Sequence, residues 1–449
     1  MSVFPFRVAF FPESFSDSDF LDDLNLNTMK KSIKIAVVGC SGRGRGMMGL
    51  IAEMADVEVI SVCDLYPDRV KAAQEIFVKA NRSEPKGYTD YRKMIDTGVK
   101  EGLEAVFCPS SWQSHVEICL YAMEAGLYVA TEVGGAYSVQ ACWDLVRTSE
   151  RTGMPCMLLE NCCYGREEMA ILNMVKKGLF GELVHAEGGY CHDLRSEIDN
   201  GKENRHYRLA NFKHRNGELY PTHDLGPIAK YLDINRGNRL LTLTSMASKA
   251  VGLRAWARAN RPEGDSLRDY AFNEGDVVTT MIKCARGETI FLTHDCSLHR
   301  PYSRRNMLQG TKGIWMEDKH SISIEGVTKF RKGHWDPDCW QDLSDFWKKY
   351  DHPLWKKFQV SGVKGGHGGM DFLVLRAFFE AVQNRTQTPI DVYDTATWMA
   401  ITPLSEESIA MGSMPVPVPD FTNGKWIDPR PYVKGTYCLE EVCRPGALE

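Results

Sequence analysis

The chain lacks the features that would direct it to a membrane or to nucleic acid. None of its apolar runs approaches the roughly 18 residues needed to span a bilayer. Its formal net charge of −5 provides no excess of basic groups for nucleic acid or anionic lipid. The first residues carry no basic segment ahead of an apolar core, as a signal peptide would. We therefore expect a cytoplasmic protein without nucleic-acid or membrane partners.

Spacings typical of metal ligands are also missing. None of the 12 histidines forms a His-x-x-x-His pair, and none of the 14 cysteines forms Cys-x-x-Cys. Cys162 and Cys163 are adjacent, which is not a spacing for one metal ion. We expect no metal site, and we expect reduced, mostly buried thiols.

What the chain does have is a glycine-rich turn between an apolar strand and a helical pattern. The apolar run 34–38 leads into Gly39-x-Ser41-x-x-Gly44, with an extra glycine at Gly42. A second apolar strand, 57–62, follows the helical pattern. This order predicts a dinucleotide-binding βαβ unit, although a glycine-rich turn can also join a strand to a helix without any nucleotide. The predicted phosphate-binding residues are Gly39, Ser41, Gly42, Arg43 and Gly44.

The end of the second strand indicates which dinucleotide is bound. Asp64 follows the glycines at roughly the 20-residue spacing expected of the carboxylate that binds the ribose hydroxyls. A carboxylate at this point would repel a 2′-phosphate, so we predict NAD rather than NADP. Arg69, on the next helix, is a further predicted cofactor contact.

Strands and helices continue to alternate through about residue 160, which predicts a doubly wound parallel sheet. Ligands bind beyond the carboxyl ends of such strands. The later strand ends add a second group of predicted cofactor contacts: Pro109, Trp112, His115, Glu132 and Asn161.

The pattern changes after residue 160. Short strand-like runs at 183–190, 241–247, 277–284, 289–296, 306–311 and 313–317 predict a second, mostly antiparallel sheet. Residues 195–217 read as a long loop, and 370–384 and 394–412 as helices. The fold class is therefore α/β, with a Rossmann domain and a C-terminal α/β domain that contains a large sheet. We divide the chain into a poorly ordered extension 1–28, an NAD-binding domain 29–160, a substrate and oligomerisation domain 161–430 and a tail 431–449.

Short motifs now indicate a family. The βαβ unit, the loop from Pro109 to His115 and the strand end at Glu132 resemble the glucose–fructose oxidoreductase/inositol dehydrogenase (Gfo/Idh/MocA) superfamily. A series of later motifs resembles the NAD-dependent α-N-acetylgalactosaminidases of glycoside hydrolase family 109. In order these are Glu160-Asn-Cys-Cys-Tyr164, Gly189-Tyr190-x-His192-Asp193-Leu194, Tyr220-Pro-Thr-His223-x-Leu-Gly-Pro227, Asn235-Arg-Gly-Asn238, Arg300-Pro-Tyr302-Ser, Gly366-His-Gly-Gly-Met-Asp371 and Pro419-Asp-Phe-Thr.

The resemblance implies hydrolysis through transient oxidation of the sugar. NAD oxidises the C3 hydroxyl, a base removes the C2 hydrogen, the aglycone leaves, water adds, and the hydride returns. Such a cycle does not need the paired carboxylates of ordinary glycosidases. It implies His223 for proton transfer at C3, Tyr220 as its neighbour and Tyr164 as the base at C2. The implied substrate contacts are Glu132, Tyr190, Arg208 and Tyr302, for which core packing or surface exposure is the structural alternative.

Three departures from these patterns leave alternatives open. The superfamily's Glu-Lys-Pro reads Glu132-Val133-Gly134, so its catalytic lysine is missing. Gly134-Gly135 stands where the narrower family has Pro-Ala, and Asp224 stands where it has glycine. The alternatives are an NAD-dependent dehydrogenase of a sugar or sugar derivative and a non-catalytic nucleotide-binding protein. By analogy with the superfamily, we expect a homodimer or homotetramer that acts on a small glycoside.

Overall fold

The computed structural model describes residues 32–328, 339–363, 365–428, 431 and 433–440. The predicted extension 1–28 lies outside the described residues, and so do residue 432 and residues 441–449 of the predicted tail. Among the helices of these described ranges, none is long and apolar enough to cross a bilayer.

The N-terminal region alternates strands with helices, as predicted. Its elements are β1 (Ile33–Val38), α1 (Gly42–Ala52), β2 (Val57–Cys63), α2 (Pro67–Lys79), β3 (Lys86–Tyr88), α3 (Tyr91–Lys100), β4 (Ala105–Cys108), α4 (Trp112–Glu124), β5 (Tyr128–Thr131), α5 (Val139–Thr152) and β6 (Cys156–Leu158). The six strands form one parallel sheet in the order β3-β2-β1-β4-β5-β6. This is the Rossmann strand order, in which the carboxyl ends of β1 and β4 meet where the order reverses.

Local chemistry explains several of these boundaries. Pro67 begins α2, where its missing amide hydrogen is not needed. The carboxylate of Asp90 accepts hydrogen bonds from the amides of Arg92 and Lys93 and so caps α3. Strands β4, β5 and β6 are buried along their whole length, as expected for a sheet that is covered by helices on both faces.

The second region begins with a 3-10 turn (Asn161–Tyr164) and contains a larger sheet. Its elements are α6 (Arg166–Lys176), β7 (Leu183–Cys191), α7 (Arg195–Asp199), α8 (Arg208–His214), α9 (Thr222–Tyr231), β8 (Leu240–Ala247), α10 (Gly252–Asn260), β9 (Val278–Cys284), β10 (Thr289–Asp295), β11 (Met307–Gly310), β12 (Gly313–Met316), β13 (Ser321–Ile324), β14 (Gln341–Asp342), α11 (Ser344–Tyr350), α12 (Pro353–Val360), α13 (Met370–Asn384), α14 (Val392–Met399), α15 (Ile401–Ala410) and β15 (Val416–Pro417).

These nine strands pair in the order β14-β13-β12-β11-β7-β10-β9-β8-β15. Only β7 and β10 are parallel, and every other pair in this sheet is antiparallel, as the sequence predicts. Helix α9 packs on one face against β7 and also contacts the 3-10 turn. The second sheet is thereby joined to the carboxyl edge of the first.

The C-terminal helices return to the N-terminal region. In the buried contact between α14 and β6, the amide of Leu158 donates to Oγ1 of Thr395 at 3.1 Å. On α13, the guanidinium of Arg376 donates to both carboxylate oxygens of Asp56 at 2.7 and 3.0 Å. Residues 370–399 therefore pack against the nucleotide-type fold rather than only against the second sheet.

Two sequence predictions about this region are wrong in detail. The predicted loop 195–217 contains the short helices α7 and α8. The helix predicted over 394–412 is two helices, α14 and α15, which meet at Ala400. Helix propensity is weak evidence for such short segments, because tertiary contacts largely decide where short helices form and end.

Candidate active site

The glycine-rich loop is shaped by close backbone approaches. Gly39 has φ of +115°, and a Cβ built on it would lie 2.5 Å from the carbonyl oxygen of Pro109. A Cβ on Gly44 would lie 2.1 Å from the carbonyl oxygen of Gly39. Both positions therefore require glycine. Pro109, at the end of β4, forms the opposite wall of this turn.

The amino end of α1 is open to an anion. The helix begins at Gly42, directly after Ser41, whose side chain makes no capping hydrogen bond. No acidic side chain lies in the first turn, and the space beside Gly42 is empty to 4 Å. First-turn amides of a helix have no partner within the helix and carry the positive end of its dipole. The loop thus offers the donor set that a pyrophosphate requires.

Asp64 fixes this loop from the end of β2. Its Oδ2 accepts a hydrogen bond from the amide of Cys40 at 2.8 Å, and its Oδ1 accepts one from the amide of Tyr66 at 3.0 Å. Each carboxylate oxygen can accept a second hydrogen bond, so both retain capacity for a ribose hydroxyl. Asp64 therefore holds the glycine-rich loop in place, a role that the sequence did not predict. It also keeps the acceptor capacity that the predicted ribose contact needs.

Arg69 joins the two regions of the chain. Its Nη2 donates to the carbonyl oxygens of Asn204 and Arg205, at 2.8 and 3.2 Å. Arg205 in turn forms an ion pair with Asp68 on α2. Arg69 therefore binds the segment between α7 and α8 to helix α2, which follows Asp64 and β2 in the chain. That contact differs from the predicted direct contact with the cofactor.

Arg43 links the glycine-rich loop to two carboxylates. Its Nε donates to Oε1 of Glu132 at 3.0 Å, and its Nη1 and Nη2 donate to Asp371 at 2.7 and 3.0 Å. The amide group of Asn161 also donates to Asp371, at 2.8 Å. The predicted residues Arg43 and Asn161 therefore both bind Asp371, whose role the sequence had left unassigned, and Arg43 also binds Glu132.

The pKa values of these carboxyl groups differ in direction. Burial raises the pKa of Glu132, with Arg43 acting against it and Asp371 adding to it. For Asp371, burial also acts to raise the pKa, but hydrogen bonds from His367 and Arg43 outweigh burial and hold the pKa well below its usual range. Asp371 is thus the stable anion of the cluster, and Glu132 is the carboxyl group more readily protonated.

Trp112 and His115, at the start of α4, lie beside the same rim. A Cβ built on Gly134 would lie 2.4 Å from the ring of Trp112. Gly134, one of the departures from the family pattern, therefore leaves space for this indole. The indole Nε1 is buried and has no hydrogen-bond partner among the described residues. His115 lies 3.0 Å from the carbonyl oxygen of Ser110 through Nε2, and burial lowers its pKa to about 4. His115 therefore stays neutral and braces the loop, while Trp112 keeps a free donor.

His223 is oriented by a buried carboxylate. Its Nδ1 lies 2.7 Å from Oε1 of Glu160, which also accepts from the amide of Cys162 at 3.0 Å. An ionised carboxylate only accepts hydrogen bonds, so Nδ1 carries a proton, and Nε2 is the acceptor whenever the ring is neutral. Burial acts to raise the pKa of Glu160, but the charge and hydrogen bond of His223 lower it overall. Glu160 is therefore ionised and holds the imidazole in one tautomer.

An aromatic group surrounds His223. The ring of Tyr220 lies 4.9 Å from that of His223 and 4.3 Å from that of Tyr190. Trp112 lies 5.6 Å from Tyr220 on the other side, so the nucleotide rim and the histidine share one cluster. Burial raises the pKa of Tyr190 and Tyr220 well above the usual range, so both phenols remain protonated donors at neutral pH.

Arg208 provides the cation of this cluster. Its guanidinium lies 5.1 Å from the rings of Trp112 and Tyr220 and 5.7 Å from that of Tyr190. Nε lies 2.9 Å from Oε1 of Glu197 but outside hydrogen-bond geometry, and Nε and Nη1 have no hydrogen-bond partner in the described part of the chain. A buried guanidinium with free donors is suited to bind hydroxyl or carbonyl oxygens of a substrate.

The outer edge of the cluster is formed by Tyr302 and His192. Tyr302 is 52% exposed, and its ring lies 5.1 Å from His192 and 6.4 Å from Tyr190. The Tyr190 hydroxyl lies 3.3 Å from Nδ1 of His192. Burial and then Arg208 lower the pKa of His192, which favours the neutral ring. His192 had no functional assignment from the sequence, yet it lies among the predicted residues.

Tyr164 does not belong to the cluster, and its assignment as the C2 base is corrected here. Its side chain is fully buried, and its hydroxyl donates to the carbonyl oxygen of Tyr437 at 3.0 Å. The indole of Trp355 donates to the backbone carbonyl of Tyr164 at 2.9 Å. Residues 435–440 cover Tyr164, so its phenol has a structural partner and no exposed surface.

One group of possible metal ligands lies within this site. Donor atoms of Glu160, Cys162 and His223 lie within 4.8 Å of one another. Burial raises the pKa of Cys162 well above its usual range, so the thiol keeps its proton, and metals bind the thiolate. The short Glu160–His223 hydrogen bond uses the other two donors. The geometry therefore favours a hydrogen-bonded cluster over a metal centre.

Four site residues escaped assignment from the sequence: Glu160, His192, Tyr207 and Asp371. Tyr207 packs against Trp112 with ring centroids 4.7 Å apart. Glu160, His192 and Asp371 do stand in recognisable motifs, but a motif does not reveal a partner. The partner of Glu160 lies 63 positions away and that of Asp371 lies 328 positions away.

The strand order, the glycine-rich turn and the second sheet define the class as an oxidoreductase-type fold with a Rossmann region. Solved structures agree. Levoglucosan dehydrogenase in complex with NADH and L-sorbose aligns with a TM-score of 0.66 at 17% identity, over 87% of this chain and 100% of that chain. An inositol dehydrogenase homologue from Azotobacter vinelandii, complexed with NAD+, aligns with a TM-score of 0.62 at 16% identity, over 87% and 98%.

Sequence relatives narrow the class to one family. Residues 164–428 match the C-terminal domain of glycosyl hydrolase 109. An α-N-acetylgalactosaminidase from Tannerella forsythia is 40% identical over 89% of this chain and 88% of its own length. A glycosyl hydrolase family 109 protein from Stenotrophomonas maltophilia is 39% identical over 89% and 91%. The chain belongs to glycosyl hydrolase family 109 and is a glycosidase with an oxidoreductase-type fold.

Proposed function

We propose that this glycosidase uses bound NAD and cleaves an α-N-acetylgalactosaminide or a closely related α-glycoside. The observation that carries the proposal is the Glu160–His223 pair, with Nδ1 and Oε1 2.7 Å apart. The pair lies beside a nucleotide-type rim rather than beside a second catalytic carboxylate. A neutral imidazole with Nε2 free suits proton transfer to and from a sugar hydroxyl.

The residues present fit NAD. Open amides at the start of α1 suit the pyrophosphate, and Asp64 retains acceptor capacity for a ribose. The unpartnered indole nitrogen of Trp112 provides a buried donor beside the same rim. When bound, NAD would supply a reversible hydride acceptor for a sugar carbon.

The chain's own residues then account for proton transfer and binding. His223 takes the proton from the C3 hydroxyl as the sugar is oxidised and returns it at the end. The free donors of Arg208 bind sugar oxygens and stabilise negative charge that develops on a C3 carbonyl during proton removal at C2. Tyr220, packed between Trp112 and His223, keeps the histidine close to the nucleotide rim.

The Tyr190–His192 pair supports a new assignment for the base at C2. The Tyr190 phenol keeps its proton because it is buried, so it cannot act as a base alone. Its hydroxyl lies 3.3 Å from Nδ1 of His192, whose lowered pKa favours the neutral, proton-accepting ring. The phenol oxygen of Tyr190 can therefore take the C2 proton while its own hydroxyl proton passes to Nδ1 of His192. Both residues line the open edge of the cluster near Tyr302.

The test is turnover without added cofactor. Purified wild type, His223→Ala and the control His320→Ala are incubated with p-nitrophenyl N-acetyl-α-galactosaminide, and nucleotide is assayed after denaturation of each protein. We expect nitrophenol release and bound NAD in wild type and control. His223→Ala should retain the nucleotide and lose activity by about 10²–10⁴-fold. Formation of NADH from free sugars and added NAD, with no glycoside cleaved, would instead indicate a dehydrogenase.

We also propose that the protein forms a homodimer or homotetramer through the open face of the second sheet. Met281 on β9 is 44% exposed and pairs across the strands with Phe291 on β10. Met246 on β8 is 61% exposed on the same side of the sheet. A row of large apolar side chains on an uncovered sheet face is typical of a protein interface.

A further inference from the structure

Asp224 follows His223 on α9 and is fully buried. Neither of its carboxylate oxygens has a hydrogen-bond partner among the described residues. The opposing strand β7 has a glycine at this point, and a Cβ built on Gly188 would lie 2.4 Å from Cβ of Asp224. The side chain of Asp224 is thus packed closely in the interior of the protein.

Two other carboxyl groups share this interior. Glu160 approaches α9 at Gly226, where an added Cβ would lie 2.7 Å from its Cγ. Glu218 accepts from the amide of Tyr220 through Oε1 at 3.2 Å. The second oxygens of Glu160 and Glu218 are buried and, in the part of the chain that the structure describes, have no hydrogen-bond partner. The interior therefore holds several buried carboxyl oxygens, and the hydroxyl of Thr222 is a donor close to Glu160.

The charges around Asp224 favour its neutral form. Burial, Glu218 and Glu160 all raise its pKa well above the usual range, while Arg304 acts weakly in the other direction. Burial raises the pKa of Glu218 to about 8, while the pKa of Glu160 is lowered by His223. Three neighbouring carboxyl groups cannot all ionise in a dry interior. Glu160, whose Oε1 accepts hydrogen bonds from Nδ1 of His223 and from the amide of Cys162, is the one best stabilised as an anion.

We propose that Asp224 carries a proton in the folded protein and is a positioning residue that leaves Glu160 as the sole carboxylate behind His223. The inference deepens the proposed function, since it concerns the histidine that we assign to proton transfer. A second carboxylate there would hold His223 as the imidazolium, and an imidazolium cannot accept the C3 proton. A protonated Asp224 also avoids the cost of burying an unpaired charge.

Other groups facing His223 set the background for a pH test. Glu132 on the nucleotide side and His192 on the open side both interact electrostatically with it, and the phenols of Tyr190 and Tyr220 pack around it. None of these is altered by a change at Asp224. The isosteric Asp224→Asn variant keeps a donor and no charge, whereas Asp224→Ala removes the donor.

The experiment compares wild type, Asp224→Asn and Asp224→Ala, all as full chains, by infrared difference spectroscopy at neutral pH. We expect wild type to show the carbonyl stretch of one more protonated carboxylic acid than either variant, beside those of other neutral carboxyl groups such as Glu218. The pH at which His223 titrates, followed by NMR of the imidazole, should be unchanged in Asp224→Asn. Thermal unfolding should rank Asp224→Asn above Asp224→Ala, because alanine leaves a cavity where the buried side chain of Asp224 lies.

The opposite pattern would overturn the inference. If Asp224 is ionised, the Asn variant shows no loss of the acid band, and the midpoint of the His223 titration moves to lower pH because a neighbouring negative charge is removed. Both readouts are independent of glycoside turnover, so failure of the proposed reaction would not be mistaken for failure of this inference. If Asp224→Asn does not fold, the band lost in Asp224→Ala decides the protonation state.

Discussion

Arg43 and Asp371 form a bidentate ion pair that joins the glycine-rich helix α1 to α13. The two residues are 328 positions apart in the chain. Nη1 and Nη2 of Arg43 donate to the two oxygens of Asp371 at 2.7 and 3.0 Å. The same guanidinium donates to Glu132 through Nε. The cofactor rim and the C-terminal helices are therefore stabilised through one side chain.

Replacing Asp371 with asparagine should weaken this connection. The lost charge-assisted hydrogen bonds correspond to a fall of about 1.5–3 kcal/mol in the free energy of unfolding near neutral pH. The folded pKa of Asp371 lies below its ordinary value, so its contribution is complete above about pH 4 and declines as the pH falls toward that folded pKa. The difference in Tm between wild type and Asp371→Asn should therefore shrink in acid.

The control for this prediction is Asp269→Asn. Asp269 forms a largely exposed ion pair with Arg258, and such pairs contribute about 0–1 kcal/mol. Equal losses of stability in the two variants would show that the Arg43–Asp371 pair has no special role.

Gly39→Ala should abolish nucleotide retention. The backbone at +115° is unfavourable for alanine, and the new Cβ would collide with the carbonyl of Pro109. Strain of this kind costs about 1–3 kcal/mol and is relieved by opening the loop. The measurement is the molar ratio of NAD released on denaturation. Gly46→Ala is the matched control, because nothing lies within 4 Å of its added Cβ and alanine favours the helix. Normal NAD content in Gly39→Ala would contradict the binding mode.

Arg208→Lys should impair binding of the substrate more than folding. Lysine keeps the charge but loses the planar group that lies over three aromatic rings and offers several donors. We expect kcat/KM for the glycoside to fall about 10–100-fold, as for loss of hydrogen bonds to a charged group. Steady-state kinetics measure this, with Tm as a check on folding. An unchanged kcat/KM would remove Arg208 from the site.

Met281→Lys should dissociate the assembly. A charge at the centre of the exposed sheet face cannot be buried against a second copy without a large desolvation cost. Light scattering after size-exclusion chromatography should show a lower mass than for wild type. Val78→Lys serves as the control, since Val78 is 51% exposed on α2, away from this sheet. A monomeric wild type, or an unaltered mass in Met281→Lys, would argue against this interface.

The parts of the fold that were predictable depend on local chemistry. Alternating buried strands and capped helices revealed the parallel sheet, and the glycines at the end of β1 could serve few purposes other than a close turn. His223 could be identified because the residues that mark it, Tyr220 to Pro227, are its neighbours in the sequence. The misassigned residue, Tyr164, stands in an equally clear motif, but its environment is decided by Tyr437, 273 positions later.

Long-range partners also explain what the sequence could not reveal at the site. Glu160 is an ordinary strand-end carboxylate until α9 brings His223 to it. Asp224 stood out only as a departure from the family's pattern, and its burial next to His223 in the chain was not predictable from that. Neither burial nor the direction of a side chain can be read from a motif, because both depend on how separate elements pack.

The most direct test of the oxidation–elimination account is the position of deuterium in the product. Wild type is allowed to hydrolyse the p-nitrophenyl α-glycoside in heavy water, and the released sugar is examined by NMR and mass spectrometry. Removal and return of the C2 hydrogen by solvent-exchangeable groups predicts deuterium at C2 of the product, with no net NADH formed. Product with ordinary hydrogen at C2 would mean direct displacement at C1 and would contradict the account.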